Sequence, residues 1–480
     1  MSSAVDEPNV MSPDEPYSPD DHGRMSELFR VAVPLMISSG SQSLMNVADR
    51  IVLAGCSEAA LAAVTPASML HWTVVCIPMG TILYANTFIS QYDGAGQKER
   101  MMASVWQAIW LALIGGLLLL PFLLLSRPAL AMSGHSPEIV EFEAQYFNTL
   151  CAGNPALLLA TALSCFFSGR RHTRVVMCTS MLAVCFNFGL ACLLVYGFGP
   201  FPALGIRGAA LATVLAHCGE VLVYIVLMLR EARRHALPLM ESLCIDVGLL
   251  KKFLRFGVPS GLHYFVDYSG FTAFLLIVGN LSSQDLAATN LAFSVNGLIF
   301  VPLLGFGTAI QTLVGHHLGA GKIREAKRTT WNAVLLGVLW TGGSGLLLLA
   351  FPELLLRPFF LFADPASGSD VDISALARTA STLLSFVAVY SVFDALAVVF
   401  SSALRGAGDT VYPMLIILIS SWFVMVLPAI LIIRSDNPTI LKLWLTCSVH
   451  IALSGFFMLL RYLGGRWQSI RLVQDQAVPL

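Results

Sequence analysis

Three aspartates interrupt stretches of sequence that are otherwise apolar: Asp49 in VADRIVLAG, Asp267 in HYFVDYSGF and Asp394 in VYSVFDALAVVF. A carboxylate at the centre of a bilayer costs roughly 2.5–3.5 kcal/mol on insertion scales, so it is retained where it faces a polar cavity or binds something. A bound Na⁺ or a proton would remove the negative charge that makes such a position costly. These three acids are therefore the main candidates for functional residues.

The composition of the 480-residue chain identifies a membrane protein. Hydrophobic residues make up 56% and charged residues only 12%, whereas about a quarter of the residues in a soluble domain are charged. The net charge of −1 gives no reason to expect nucleic acid as a partner. Neither an HExxH motif, a nucleotide-binding P-loop nor a CxxC pair is present, so the sequence does not predict a metalloenzyme, an ATP-driven pump or a disulfide framework.

Apolar stretches long enough to cross about 30 Å of hydrocarbon occur twelve times in the sequence. We therefore predict an all-α polytopic membrane protein of twelve transmembrane helices. The predicted spans are residues 31–54, 64–90, 104–126, 146–168, 175–197, 208–230, 256–279, 290–314, 331–352, 378–403, 412–433 and 441–461.

Charge placement predicts the orientation of the spans. With a cytoplasmic N-terminus, 21 of the 28 basic residues fall in inner segments, as expected from the positive-inside rule. We expect a multi-pass protein of the cell membrane with both termini cytoplasmic. The basic residues left on the outside are Arg50, Arg127, Arg207, Arg357, Arg378, Arg434 and Lys442.

The chain repeats itself at an offset of 225 residues, which places GAG at 94–96 on GAG at 319–321 and Trp106 on Trp331. Each repeat holds six spans, so the halves are predicted to be two six-helix bundles related by a pseudo-two-fold axis along the membrane normal. The predicted organisation is a disordered tail at 1–25, an N-lobe at 26–230, a connector at 231–252, a C-lobe at 253–462 and a second tail at 463–480.

Asp267 and Asp394 fall on the first and fourth predicted spans of the second half. Two carboxylates in one low-dielectric cavity cannot both stay ionised without a cation or a shared proton, so this pair is the predicted coupling site. The alternative is an acid that only accepts hydrogen bonds from its neighbours, and for Asp49 an acid at the interface paired with Arg50. His71 and the pair His217 and Glu220 also lie inside spans, and their predicted role is structural.

Several separate segments, in order, resemble the multidrug and toxic compound extrusion (MATE) family, and its NorM-like branch in particular. They are VADRIVLAG with SEAALAA, GAGQKER, FGVPSGLHYFVD, GHHLGAGKIREAKR and VYSVFDALAVVFSSALRGAGDT. The resemblance covers about residues 25–462. It implies a V-shaped pair of six-helix bundles that exports amphipathic, often cationic compounds in exchange for Na⁺ or H⁺.

The resemblance also assigns roles to individual residues. Asp49, Asp267, Asp394 and Tyr390 match positions of the ion-coupling site, and Na⁺ would bind Asp267 and Asp394 if the exchange is sodium-coupled. The predicted substrate cavity contains His263, Tyr264, Asn187 and Asn296. One branch of the family carries an Asp four residues after the asparagine that matches Asn187, where this chain has Ala191. That difference favours Asp267 and Asp394 of the C-lobe as the coupling site.

No cofactor is predicted beyond the coupling ion, and the expected partners are small organic molecules and the lipid bilayer, with the protein acting as a monomer. A flippase for lipid-linked precursors would require a cationic cavity, whereas these spans carry acids. A passive channel is the remaining alternative, and uphill transport distinguishes it from an antiporter.

Overall fold

The structure is a computed structural model in which residues 23, 25–131, 135–197, 202–239, 242–360, 373–470 and 472–473 are described. These residues form helices joined by short turns. The helices are α1 Met25–Ala54, α2 Glu58–Leu83, α3 Ala85–Gly94, α4 Lys98–Leu119, α5 Phe122–Ala131, α6 Pro137–Ala152, α7 Asn154–Gly169, α8 Thr173–Tyr196, α9 Ile206–Arg234, α10 Val247–Gly279, α11 Ser283–Gly319, α12 Ile323–Ala350, α13 Pro352–Phe360, α14 Ile373–Ala407, α15 Val411–Leu418, α16 Leu427–Ile433 and α17 Ile440–Leu463, with a π-helical stretch at Ile419–Val426 between α15 and α16.

The helices account for the predicted spans. Ten segments of the described chain are long and apolar enough to cross a membrane, and α6 with α7, bent by 46°, makes an eleventh. Helix α1 covers the first predicted span with 30 residues, a length of about 45 Å at 1.5 Å per residue. By length and apolar composition α1 is not among these segments, so the described chain holds ten, or up to eleven, of the twelve predicted spans.

The internal repeat is visible in the local structure of the turns. Ser57 and Ser282, which are 225 residues apart, each cap the following helix by accepting a hydrogen bond from a backbone N–H, at 3.4 and 3.0 Å. Gly96 and Gly321 both adopt a left-handed conformation, with φ of +70° and +72°, which a residue without a Cβ adopts readily. The two halves therefore begin and end their second spans in the same way.

The halves pack crosswise: α1 lies against α11, and α10 lies against α2. Close backbone approach occurs at equivalent glycines, because a Cβ at Gly94 would overlap the carbonyl oxygen of His316 and one at Gly319 would overlap that of Gln91. His316 is the repeat counterpart of Gln91. The contact between the halves is thus made twice, once in each direction.

Contacts between the lobes lie near one end of the bundle, which we call the termini face because α1 begins and α17 ends there. The largest buried core includes residues of both halves, such as Leu35, Phe88, Phe253 and Leu313. Nearer the opposite end, the far face, the C-lobe has a core of its own around Phe274 and Trp444, and the N-lobe has one around Leu53 and Phe147. The lobes are joined at the termini face and separate toward the far face.

The connector packs along α4. The indole N–H groups of Trp106 and Trp110 donate hydrogen bonds to the backbone carbonyls of Leu239 and Leu243, at 2.7 and 3.1 Å. Helix α9 ends at Arg234 and α10 begins at Val247, within the predicted 231–252 boundaries. Most of the predicted N-terminal tail and residues 471 and 474–480 lie outside the described residues. In the described part of the second predicted tail, Trp467 stacks on Tyr462 with ring centroids 4.9 Å apart.

Replacement of Gly94 by Val is expected to destabilise the protein, because the new side chain would overlap the backbone of His316. Overpacking of a close contact typically costs about 1–3 kcal/mol, which should lower the thermal midpoint of the purified protein by several degrees. Gly343→Val is the matched control, since a Cβ at Gly343 meets no atom within 4 Å. Equal midpoints for the two variants would contradict the described packing.

Candidate functional site

The two C-lobe acids lie at the depth where the shared core gives way to the separate C-lobe core. Asp267 follows Val266, which belongs to the shared core, and Asp394 lies one turn after Tyr390, which belongs to the C-lobe core. Both aspartates are half-buried, and within the described chain no side chain or backbone group donates a hydrogen bond to either carboxylate. They therefore lie at the depth where the lobes begin to separate, with carboxylates that make no hydrogen bond within the described chain.

The C-lobe carboxylates also lie within electrostatic range of each other, and both interact with Cys447 of α17. Helices α10, α14 and α17 bring these groups together although they are far apart in the sequence. Like charges in a low-dielectric site repel, so a cation or a proton bound between them would be stabilised. The carboxylate oxygens suit a hard cation such as Na⁺. Over the described ranges no cluster of three or more His, Cys, Asp or Glu could hold a metal ion, so further oxygen ligands would have to come from water or backbone.

Asp49 has a different environment in the N-lobe. Its side chain is only 1% exposed and accepts hydrogen bonds from the hydroxyl of Thr213 at 3.0 Å, the hydroxyl of Tyr146 at 3.3 Å and Nδ2 of Asn187 at 3.5 Å. Asn187 also donates to Thr213 at 3.0 Å. The donors come from α6, α8 and α9, so Asp49 joins four helices of one lobe.

This cluster clarifies the predicted role of Asp49. Pairing with Arg50 was the alternative interpretation, but Arg50 is exposed and makes no ion pair with Asp49 in the part of the chain that the structure describes. Tyr146 and Thr213 were not predicted from the sequence. Each is an ordinary polar residue inside an apolar span, and nothing in its local sequence distinguishes it from a hydroxyl bonded to its own helix.

The remaining predicted residues divide between the lobes. Asn187 belongs to the Asp49 cluster and is fully buried, whereas Asn296 on α11 is partly buried. Tyr390 is 2% exposed and lies within electrostatic range of Asp394. His263 is one turn before Asp267 and packs edge-on against Tyr264, with ring centroids 5.8 Å apart. The residues predicted to line one cavity are thus divided between the lobes, with Asn187 in the N-lobe and the others in the C-lobe.

Tyr264 contacts a buried arginine that the sequence did not single out. Nη1 of Arg405 donates to the Tyr264 hydroxyl at 2.9 Å, and the guanidinium lies 5.3 Å from the ring centroid. Arg405 is 8% exposed. Tyr264 also packs against Gly80 of the N-lobe. This tyrosine therefore lies on the termini-face side of Asp267, at the contact between the lobes.

Helix α14 connects the site of the two C-lobe acids to the termini face, where the lobes are in contact. Its residue Asp394 lies beside the C-lobe core, and its C-terminal carbonyls accept hydrogen bonds from the N-lobe. Tyr84 donates to the carbonyl of Arg405 at 3.2 Å and Gln91 to that of Gly406 at 2.8 Å. Carbonyls in the last turn of a helix lack intrahelical partners, so the N-lobe side chains satisfy groups that would otherwise need water.

The family model named MatE matches residues 34–193 and 259–431. The chain is 26% identical to a probable multidrug resistance protein NorM of Thermotoga maritima, over 94% of this chain and 95% of that protein. It is 28% identical to a protein of the same name in Chromobacterium violaceum, over 94% and 95%. A solved MOP superfamily transporter from Pyrococcus furiosus superposes with a TM-score of 0.83 at 18% identity, over 94% of this chain and 97% of that one.

Thr213→Val is expected to destabilise the N-lobe, because it removes the closest donor to a buried carboxylate at nearly constant volume. Loss of a hydrogen bond to a buried charged group costs about 1.5–3 kcal/mol, which a lower thermal midpoint would report. Thr308→Val is the control, since Thr308 is only partly buried and its hydroxyl bonds to the carbonyl of Leu304 in its own helix. A Thr213 variant as stable as this control would show that the hydrogen bond to Asp49 contributes little.

Proposed function

The chain belongs to the MatE family of multidrug efflux transporters, and from that premise we propose that it exports amphipathic, often cationic small molecules in exchange for Na⁺ or H⁺. The observation that carries the proposal is the pair Asp267 and Asp394. These carboxylates lie within electrostatic range of each other, accept no hydrogen bond from the described residues and lie where the shared core gives way to the C-lobe core.

The pair provides a physical basis for exchange. A cationic substrate and a coupling ion would compete for the same negative charge, so binding of one lowers the affinity for the other. The partly buried side chains of Tyr264 and His263 add aromatic surface close to Asp267, and aromatic rings attract organic cations by about 0.5–2 kcal/mol. Mutually exclusive binding at one site is what an antiporter requires.

Alternating access would follow from the two-lobe packing. With the termini face closed and the far face divided, the acids are accessible from the far face. Opening at the other side requires separation of the contacts between α3, α11 and the end of α14. Because α14 carries both Asp394 and the carbonyls that close the termini face, neutralisation of Asp394 can be transmitted to that closure along one helix.

We propose that the termini face is cytoplasmic, in a cell membrane, with lobes at 26–230 and 253–462. The support is the excess of basic residues in segments at that face, 21 of 28, together with the positive-inside rule. Export then means release from the cleft that is open toward the far face in this structure.

Two native cysteines test this orientation. Cys56 lies in the exposed turn after α1 at the far face, and Cys244 is exposed in the connector at the termini face. In intact cells a membrane-impermeant maleimide should label Cys56 and leave Cys244 unmodified, and permeabilisation should expose Cys244. Peptide mass spectrometry distinguishes the sites, and labelling of Cys244 before permeabilisation would reverse the assignment.

Asp267→Asn and Asp394→Asn should each abolish gradient-driven efflux of an organic cation such as ethidium from proteoliposomes. Since the substitutions remove the charge for which ion and substrate compete, we expect a fall in rate of about tenfold or more, equivalent to at least about 1.4 kcal/mol. The rates are to be measured with a Na⁺ gradient and a pH gradient imposed separately.

Asp436→Asn is the matched control for these variants, because Asp436 is an exposed carboxylate of the same lobe in the turn after α16. Its efflux should equal that of the unmodified protein. Efflux that persists in both site variants would remove the C-lobe pair from the mechanism. Downhill flux that no ion gradient can drive uphill would instead identify a passive channel.

A further inference from the structure

A fourth intramembrane acid lies in the N-lobe, on α9. Oε2 of Glu220 lies 2.9 Å from Nδ1 of His217, so the two side chains are within hydrogen-bond distance. The side chains are 11% and 8% exposed. Both residues lie within a segment long and apolar enough to cross a membrane, so the bilayer cost that applies to the three aspartates also applies here.

A structural role explains this pair poorly. Its members are three residues apart on one helix, so the contact joins no two helices. Such a pair stabilises an exposed helix by about 0.2–0.5 kcal/mol, and burial adds a desolvation cost that commonly exceeds the Coulombic gain. Two apolar residues would serve packing better, and the retention of both titratable groups therefore points to a use for their charge.

The pair continues the Asp49 cluster along one face of α9. Thr213, His217, Glu220 and Tyr224 follow at spacings of four, three and four residues, which places them in a stripe on the same side of the helix. Thr213 donates to Asp49 at 3.0 Å. From Thr213 to Glu220 the stripe advances about 10.5 Å toward the termini face.

Other helices present few competing charges to this stripe. His71 of α2 lies within electrostatic range of His217 and is bonded to Asn154 at 2.7 Å. Helix α1 contributes Asp49, α6 contributes Tyr146 and α7 contributes Cys165, whereas α8 offers the neutral side chains of Ser180 and Asn187. In the described segments, His217 is the sole basic group within ion-pair distance of Glu220.

The other half of the chain shows that the fold does not need the acid. The last predicted spans of the two halves begin at residues 208 and 441, an offset of 233 residues instead of 225. In that alignment Thr213 and His217 correspond to Thr446 and His450 of α17, and Glu220 corresponds to Leu453. His450 is 2% exposed and packs edge-on against Phe271 at 5.9 Å. The repeat thus retains the threonine and histidine in both lobes but places an acid beside the histidine only in the N-lobe.

We propose that His217 and Glu220 form a proton-binding site that exchanges a proton with Asp49 during the transport cycle, an inference that rests on the proposed ion-driven efflux. The O–H bond of protonated Glu220 breaks as Nδ1 of His217 takes the proton. The imidazolium then releases a proton past Thr213 to the carboxylate of Asp49. Asp49 then passes the proton to water when substrate binds, so the O–H bond broken at Glu220 is replaced by one in hydronium, one proton leaves the protein, and no further reactant is needed.

Proton release on substrate binding tests the site directly. The purified protein in weakly buffered detergent solution, with a pH indicator dye, receives tetraphenylphosphonium as the organic cation. We expect Glu220→Gln and His217→Asn each to release one proton fewer per protein than the unmodified chain, and Glu220→Asp to restore the full number. The thermal midpoint of each variant shows whether it is folded. If Glu220→Gln is not folded, His217→Asn serves as the test variant.

Glu141→Gln is the matched control, because Glu141 belongs to the same lobe but forms an exposed ion pair with Arg127 at 2.8 Å. Its proton release should be unchanged. Full release from Glu220→Gln, or no release from the unmodified protein, would overturn the inference. Efflux assays on Asp267→Asn and Asp394→Asn are independent of this result, so failure of the N-lobe site can be distinguished from failure of the proposed function.

Discussion

Close approach of the two halves at the termini face is the constraint on which the rest of this structure depends. The amide of Asn86 donates to the hydroxyl of Thr312 at 2.6 Å, and the amide of Gln311 donates to the hydroxyl of Thr87 at 2.7 Å. These two bonds are the same contact made once in each direction, because Asn86 and Gln311, like Thr87 and Thr312, are 225 residues apart. Glycines at equivalent positions allow the backbones to come near enough for both bonds.

The cleft is a consequence of this closure at one face only. Cross-lobe glycine contacts and amide–hydroxyl bonds occupy α3 and the termini-face halves of α1, α2, α10 and α11, and beyond them each lobe fills its own core. Polar bonds of this kind suit a contact that must separate, since water can replace each partner when the lobes move apart. A purely apolar contact would have to expose its surface to water without such compensation.

The sequence predicted the fold well because its strongest signals are long and repeated. Span length, the 225-residue offset and the paired GAG turns all depend on neighbours within one helix or turn. The site was predicted less completely, since its bonds join residues far apart in the chain. Tyr84 and Arg405 are separated by 321 positions, and neither Thr213 nor Tyr146 differs locally from other hydroxyl residues in apolar helices. Which donors reach Asp49 is decided by the packing of four helices, and a single sequence does not specify that packing.

The acids occupy unrelated positions on this duplicated scaffold, and their surroundings differ accordingly. Asp267 corresponds in the repeat to Gln42, and Asp49 corresponds to Phe274, so duplication did not copy either one. A carboxylate that accepts three hydrogen bonds, as Asp49 does, is held in one geometry and suits a fixed site connected to its own lobe. Asp267 and Asp394 accept no hydrogen bond in the described chain, and such carboxylates suit the exchange of one cation for another that we propose for them. The pseudo-symmetry of the helices therefore supplies the movement, and the asymmetry of the acids supplies two chemically different sites that the movement can couple.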